Sequence, residues 1–171
     1  FPVKMPDGTT KEVDRLGGRR AFLITVPELS GGPTARRITE LLGERLVGVF
    51  DGVRAHVPYP VVMEALGAAR VAGADLLISL GGGSAIDTTR AVALSLGEEL
   101  TSIEGLEAFR ARYEPGVGTT IPPTSGRSPA HIAIPTTLAA AEFANAGAVT
   151  SLTRRVKDLL ITDEITPRVV I

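Results

Sequence analysis

The chain has 171 residues, 44% apolar and 22% charged, with 18 Lys+Arg against 19 Asp+Glu and a net charge of -1. That is enough apolar material for one folded core, and it leaves no basic surface to neutralise a nucleic-acid backbone. With no cysteine and only two histidines, a disulfide scaffold, a thiol nucleophile, a zinc ribbon and a His-rich metal site are excluded.

Short apolar runs alternate with longer helical patterns, which predicts an α/β domain with a mostly parallel sheet and helices on both faces. Ala21 to Val26 reads as a strand ending at Pro27, followed by a turn at Ser30-Gly31-Gly32-Pro33. Ala35, Ile38, Leu41, Leu42 and Leu46 then recur at helical spacing. Val47 to Phe50 is a second strand, closed by Asp51-Gly52. A helix is expected from about Pro60 to Ala72, with Val61, Val62, Ala65, Leu66 and Ala69 on its buried stripe and Gly73 just past its end. Asp75 to Leu80 is apolar on consecutive positions after its first residue, so it reads as a central strand buried on both faces. The next helix follows Gly81-Gly82-Gly83-Ser84 and runs to about Leu96. Residues 115–129 are rich in Pro, Gly, Ser and Thr and are expected to form a mobile loop. His131 to Ile134 is another strand, ended by Pro135. Ala139 to Phe143 has helix-compatible composition, cut short by Gly147 and the β-branched pair Val149-Thr150. Val169 to Ile171 reads as the start of a further strand. No apolar run nears the ~20 residues of a membrane helix, and no signal peptide opens the chain, so no membrane partner and a cytoplasmic location are expected.

Two segments carry chemistry. Gly81-Gly82-Gly83-Ser84 between a buried strand and a helix would let phosphate oxygens approach backbone amides at a helix N-terminus. The same residues also suit an ordinary tight turn, with Ser84 as N-cap and Asp87 three residues on, close to a capping box. The segment is neither G-x-G-x-x-G nor a P-loop, so nucleotide-triphosphate hydrolysis and kinase chemistry are unsupported. Pro135-Thr136-Thr137 follows a buried strand; its hydroxyls could bond a ribose or phosphate at the sheet's carboxyl edge, or cap the next turn.

Gly81 to Ala93 resembles the Gly-Gly-Gly-Ser-x-x-Asp-x-x-Lys segment of the iron-containing (group III) alcohol dehydrogenases, with Arg90 at the Lys position. Ile132 to Thr137 is similar to that family's Ile-Pro-Thr-Thr segment. Val49 to Val53, Ala72 to Asp75, Val156-Lys157 and Pro167 to Val170 fall in the family's order and approximate spacing. Ala55-His56-Val57-Pro58 and Leu138-Ala139-Ala140-Ala141-Glu142-Phe143 resemble the maleylacetate reductase branch. The resemblance spans about residues 17–171.

It implies that residues 1–171 are the NAD(P)-binding α/β domain of an oxidoreductase moving a hydride between nicotinamide and a small carbonyl or alcohol substrate. Gly82, Gly83 and Ser84 would hold the pyrophosphate. Asp87 would lie near the nicotinamide end, Thr136 and Thr137 near the adenosine half, and Lys157 near the nicotinamide ribose. A lysine between Arg155 and Asp158 is usually a solvated charge, and Lys157 reads more readily that way. The family's Fe2+ or Zn2+ ligands belong to an all-helical C-terminal domain expected after residue 171, so no metal ligand and no catalytic group are assigned here. Val26-Pro27 stands where many members place an Asp on the adenosine ribose, which leaves the choice of NAD or NADP open. His56 and His131 read as surface or packing histidines. The alternative is a stand-alone nucleotide-binding or partner-dependent module without activity. A lyase resembling 3-dehydroquinate synthase is disfavoured by Leu138 to Phe143. A homo-oligomer is compatible with all of these.

Overall fold

The computed structural model describes residues 8–171. In chain order the elements are α1 (Gly8–Arg15), β1 (Ala21–Thr25), α2 (Pro27–Ser30), α3 (Pro33–Leu42), β2 (Leu46–Phe50), α4 (Tyr59–Val71), β3 (Leu76–Gly81) and α5 (Gly83–Gly97). They continue with α6 (Ile103–Glu107), β4 (Arg112–Glu114), β5 (Gly118–Thr120), β6 (Ala130–Pro135), β7 (Ala146–Ser151), β8 (Val156–Ile161) and β9 (Val169–Val170).

Five strands form one all-parallel sheet in the order β2-β1-β3-β6-β9, with β3 at its centre. Every residue of β1 and β3 is buried. Alternation divides them between two cores. Phe22, Ile24 and Leu77 pack with α4 and α5 on one face; Ala21, Leu23, Leu76, Ile78 and Leu80 pack with α1 and α3 on the other. Helices therefore cover both faces, as a parallel sheet requires. No described helix is long and apolar enough to cross a membrane.

Several local expectations are corrected. Pro27 starts the short helix α2 rather than a loop, since a proline at the first helical position loses no hydrogen bond. Leu46 opens β2 and does not extend α3, which ends at Gly43 in the left-handed region (φ 52°). Asp75 precedes β3 and points its carboxylate back at the backbone N–H groups of Arg19 (3.0 Å) and Arg20 (2.8 Å), pinning the entry to β1. Ala139 to Phe143 makes only a 3-10 turn over Ala141–Phe143.

The expected 115–129 loop contains β5, which pairs antiparallel with β4. Residues Thr124 to Ser128 are tied down. Glu164 accepts from Thr124 Oγ1, from Gly126 N (2.7 Å) and from Ser128 Oγ (3.2 Å), and Glu98 accepts from Ser125 N (2.6 Å). Burial would raise the Glu164 carboxyl, but these donors hold it below the usual carboxylate range. The antiparallel hairpin β7–β8 packs against α5. Its first strand is built from small residues, Ala146-Gly147-Ala148, and Gly147 lets it pass close to Arg90.

Candidate functional site

The strand order reverses at β1: β2 lies on one side, and the chain returns to the other side as β3. In such sheets the crevice beyond the strand carboxyl ends at this switch is where ligands bind. Thr25 pairs with Leu80, and Gly81 with Pro135. The ends of β1, β3 and β6 are therefore level, and Val26, Gly81 to Ser84 and Thr136-Thr137 line one edge.

Within the loop, Gly82 and not Ser84 is the N-cap of α5, and it offers no side-chain cap. Ser84 is the second helical residue, where its hydroxyl cannot serve as N-cap. Ala85 N and Ile86 N both reach Gly82 O, which leaves the N–H groups of Gly83 and Ser84 as the helix's open donors, with the positive end of its dipole behind them. The two glycines have different causes. A Cβ on Gly82 would sit 2.8 Å from Thr137 Oγ1, so a side chain there would have to displace the Thr137 side chain. A Cβ on Gly83 would meet nothing closer than Ala139 and Ala141 at 3.8 Å. A Cβ would therefore fit at Gly83, and packing among the described residues does not require glycine there. Thr136 N donates to Gly81 O at 3.0 Å, binding the two loops together.

Asp87 does not close the helix end. Its carboxylate takes Arg90 Nη1 at 3.1 Å and the Ala148 N–H of β7 at 3.2 Å. Burial pushes the Asp87 carboxyl above its ordinary value, against the pull of Ala148, Arg90 and Lys157. Arg90 carries no exposed surface and also donates to the carbonyls of Ala141, Ala144 and Ala146, the last at 2.8 Å. It thereby fixes the 141–146 segment, including the Ala141 that faces Gly83. The sequence reading gave Arg90 no role; a charged residue on a helix otherwise buried on all sides was the available signal.

Lys157 lies on exposed β8, outside the glycine loop, yet near enough to Asp87 for its charge to be felt there. His131 is a core residue: its Nε2 lies 2.8 Å from Ser79 Oγ across β3–β6, while Nδ1 turns toward the Ile165 backbone without a well-formed bond. His56 is exposed in the turn before α4. Among the described residues no group of three His, Asp or Glu side chains could hold a metal ion.

Fold and loop together define a Rossmann-like α/β domain. The profile of the iron-containing alcohol dehydrogenases matches residues 7–171, and the chain belongs to that family. It is 37% identical over 133 residues to maleylacetate reductase 2 of Cupriavidus pinatubonensis (strain JMP 134 / LMG 1197), covering 71% of this chain and 36% of that protein. Lactaldehyde reductase of Escherichia coli (strain K12) is 30% identical over 128 residues, 73% of this chain and 34% of the relative. The crystal structure of maleylacetate reductase from Rhizobium sp. strain MTP-10005 superposes with a TM-score of 0.71 at 31% identity, over 95% of this chain and 37% of that one. The chain thus spans about a third of the length of the curated relatives it matches.

Proposed function

We propose that this chain is the dinucleotide-binding part of an NAD(P)-dependent oxidoreductase that moves a hydride between nicotinamide and a small carbonyl or alcohol substrate. The observation that carries the reading is the clear space at Gly83, at the sheet's switch point and in front of the two open N–H groups of α5. Those donors and the helix dipole suit a diphosphate, which needs anion stabilisation without a Cβ in the way. Thr136 and Thr137 stand beside them as hydroxyl donors for the adenosine half. Asp87, held by Arg90 and Ala148, and Lys157 on the hairpin stand on the side toward which a nicotinamide would extend. The bound cofactor supplies the hydride; these residues orient it. Relatives named as reductases of maleylacetate and lactaldehyde support the carbonyl side of the reaction.

The group that polarises the carbonyl is assigned to a second domain or a second copy, as is any Fe2+ or Zn2+. A nicotinamide-dependent enzyme draws on the cytoplasmic cofactor pool, and we place the chain there. Titrating NADH by fluorescence tests the reading: Gly83→Val should abolish binding while the far-ultraviolet spectrum stays native. Equal affinity in the two proteins would refute the phosphate-loop assignment.

A further inference from the structure

Arg90 Nε and Glu142 Oε2 are both buried and have no hydrogen-bond partner among the described residues. One is a donor on a cation, the other an acceptor on an anion. Leaving either group buried and unpaired is costly, and a carboxylate is seldom buried at all unless it is paired. Yet Glu142 is only 8% exposed. It lies in the 3-10 turn Ala141–Phe143, and Arg90 grips the chain on both sides of it by donating to Ala141 O and Ala144 O. Burial lowers the basicity of Arg90, and the charges of Asp87 and then Glu142 work against that. The ion pair itself is made with Asp87, at 3.1 Å. One buried cation thus has two carboxylates beside it, one engaged and one with an unused oxygen.

The surplus carboxylate bears on what Asp87 can do. Both Asp87 oxygens are occupied, Oδ1 by Arg90 Nη1 and Oδ2 by the Ala148 N–H at 3.2 Å. Asp87 can turn to a ligand only by letting go of Arg90. A guanidinium with no exposed surface that loses its counter-ion is strongly destabilising. A second carboxylate already buried beside the same cation removes that obstacle.

We infer that Glu142 is a second counter-ion for Arg90, taking over the guanidinium when Asp87 turns to a bound dinucleotide. In the unliganded chain Arg90 pairs with Asp87. In the liganded chain Arg90 Nε donates to Glu142 Oε2, the 141–146 segment stays gripped, and Asp87 accepts from the cofactor. Glu142 is a positioning residue and touches neither cofactor nor substrate. The inference rests on the dinucleotide reading above for its ligand, whereas the interchange of the two carboxylates is measurable without one.

Urea unfolding of the unliganded chain tests the interchange. Glu142→Gln removes the charge from an unpaired oxygen, and in Asp87→Asn the Glu142 carboxylate takes Arg90 over, so each midpoint should fall by less than about 0.5 M. The double variant has no counter-ion left and should lose about 1.5 M or more, well beyond the sum. Additive losses, or a loss above about 0.5 M in either single variant, overturn the proposal. Fluorescence titration and NMR then test the handover. NADH should bind Glu142→Gln about fivefold or more weakly than the parent. The Arg90 Nε–H resonance should shift on adding NADH to the parent and stay in place in Glu142→Gln. Unchanged affinity, or a parent resonance that does not move while NADH binds, overturns the handover. A parent that binds no NADH but shows the more-than-additive loss refutes the cofactor reading and upholds the paired counter-ions.

Discussion

Arg90→Met should be the most damaging single substitution near the candidate site. The guanidinium is fully buried and reaches four acceptors, the Asp87 carboxylate and the carbonyls of Ala141, Ala144 and Ala146. Burial alone lowers its basicity, and Asp87 offsets this. Removing it leaves a carboxylate and three carbonyls short of donors, and breaking a buried pair by deleting one partner costs about 3–5 kcal/mol. Against a typical total of about 5–15 kcal/mol, much of the stability would go. With a urea m-value near 2 kcal/mol per M, the midpoint should fall by about 2 M. Arg90→Lys should lose less, because one ammonium keeps the charge but cannot span three carbonyls as a planar fork does. Adding Asp87→Asn to Arg90→Met should recover about 1–3 kcal/mol, the coupling expected for a contacting pair. The assay is urea unfolding followed by circular dichroism. A midpoint shift below about 0.5 M for Arg90→Met would show that the 141–146 segment is held by something else.

Three further outcomes can be measured. Burial first, and the Arg90 charge second, push the His131 imidazole down to about 3 in the folded chain, whereas unfolded histidine titrates near 6.5. The unfolded chain therefore takes up a proton that the folded chain refuses. Stability should be flat above pH ~6.5 and fall below it by at most ~1.4 kcal/mol per pH unit toward pH 3; an unchanged slope between pH 5 and 6.5 in His131→Gln would contradict this. With Val26-Pro27 at the β1 end, NADH and NADPH should bind within about tenfold, or ~1.4 kcal/mol, by fluorescence titration. A thousandfold preference for NADH would show that an acid reads the ribose, and Glu28 in the first turn of α2 would then be the residue to replace. The chain by itself, with or without Fe2+ or Zn2+, should not consume NAD(P)H with maleylacetate-like ketones. His131 is locked on Ser79 in the sheet, and loss of electrostatic stabilisation costs about 10²–10³ in rate per donor. Turnover above roughly 1 s⁻¹ by absorbance would reveal a missed catalytic group.

The parallel sheet was legible because strands buried on both faces must be apolar at consecutive positions, as Leu76 to Ile78 and Ala21 to Ile24 are. Helices α4 and α5 were legible from their spacing, and α4 also from Gly73 just past its end; Gly97 is still helical, and a Cβ there would sit 2.8 Å from the Ser128 backbone nitrogen. The β7–β8 hairpin was not. Ala146-Gly147-Ala148 avoids bulk where Gly147 passes Arg90, so only Val149-Thr150, at the far end of the strand, carries the β-branched residues that mark one. At the glycine loop the Thr137 side chain packs against Gly82, and the capping role drawn for Ser84 and Asp87 is not made. Capping rules assume a side chain turned back on its own helix; Asp87 instead serves a long-range partnership with Arg90 and β7 that local spacing cannot encode. The same limit hid the bridge from the His56-Val57 turn to β7, where Thr150 donates to both of their carbonyls from more than ninety positions further along the chain.

The parallel topology also governs how the chain reaches this structure. β1 pairs with β3 across about fifty-five residues, and β3 with β6 across a similar span. No ladder in the central sheet closes by a tight turn, so each waits on a long loop closure before any hydrogen bond rewards it. A nascent chain cannot seat the second edge of β3 until Ala130 to Pro135 has left the ribosome. Until then the face of α5 that packs on β6 and β7 in the finished domain would have nothing to cover it. Synthesis rate and chaperone access during that interval, rather than final stability, should set the yield of folded protein.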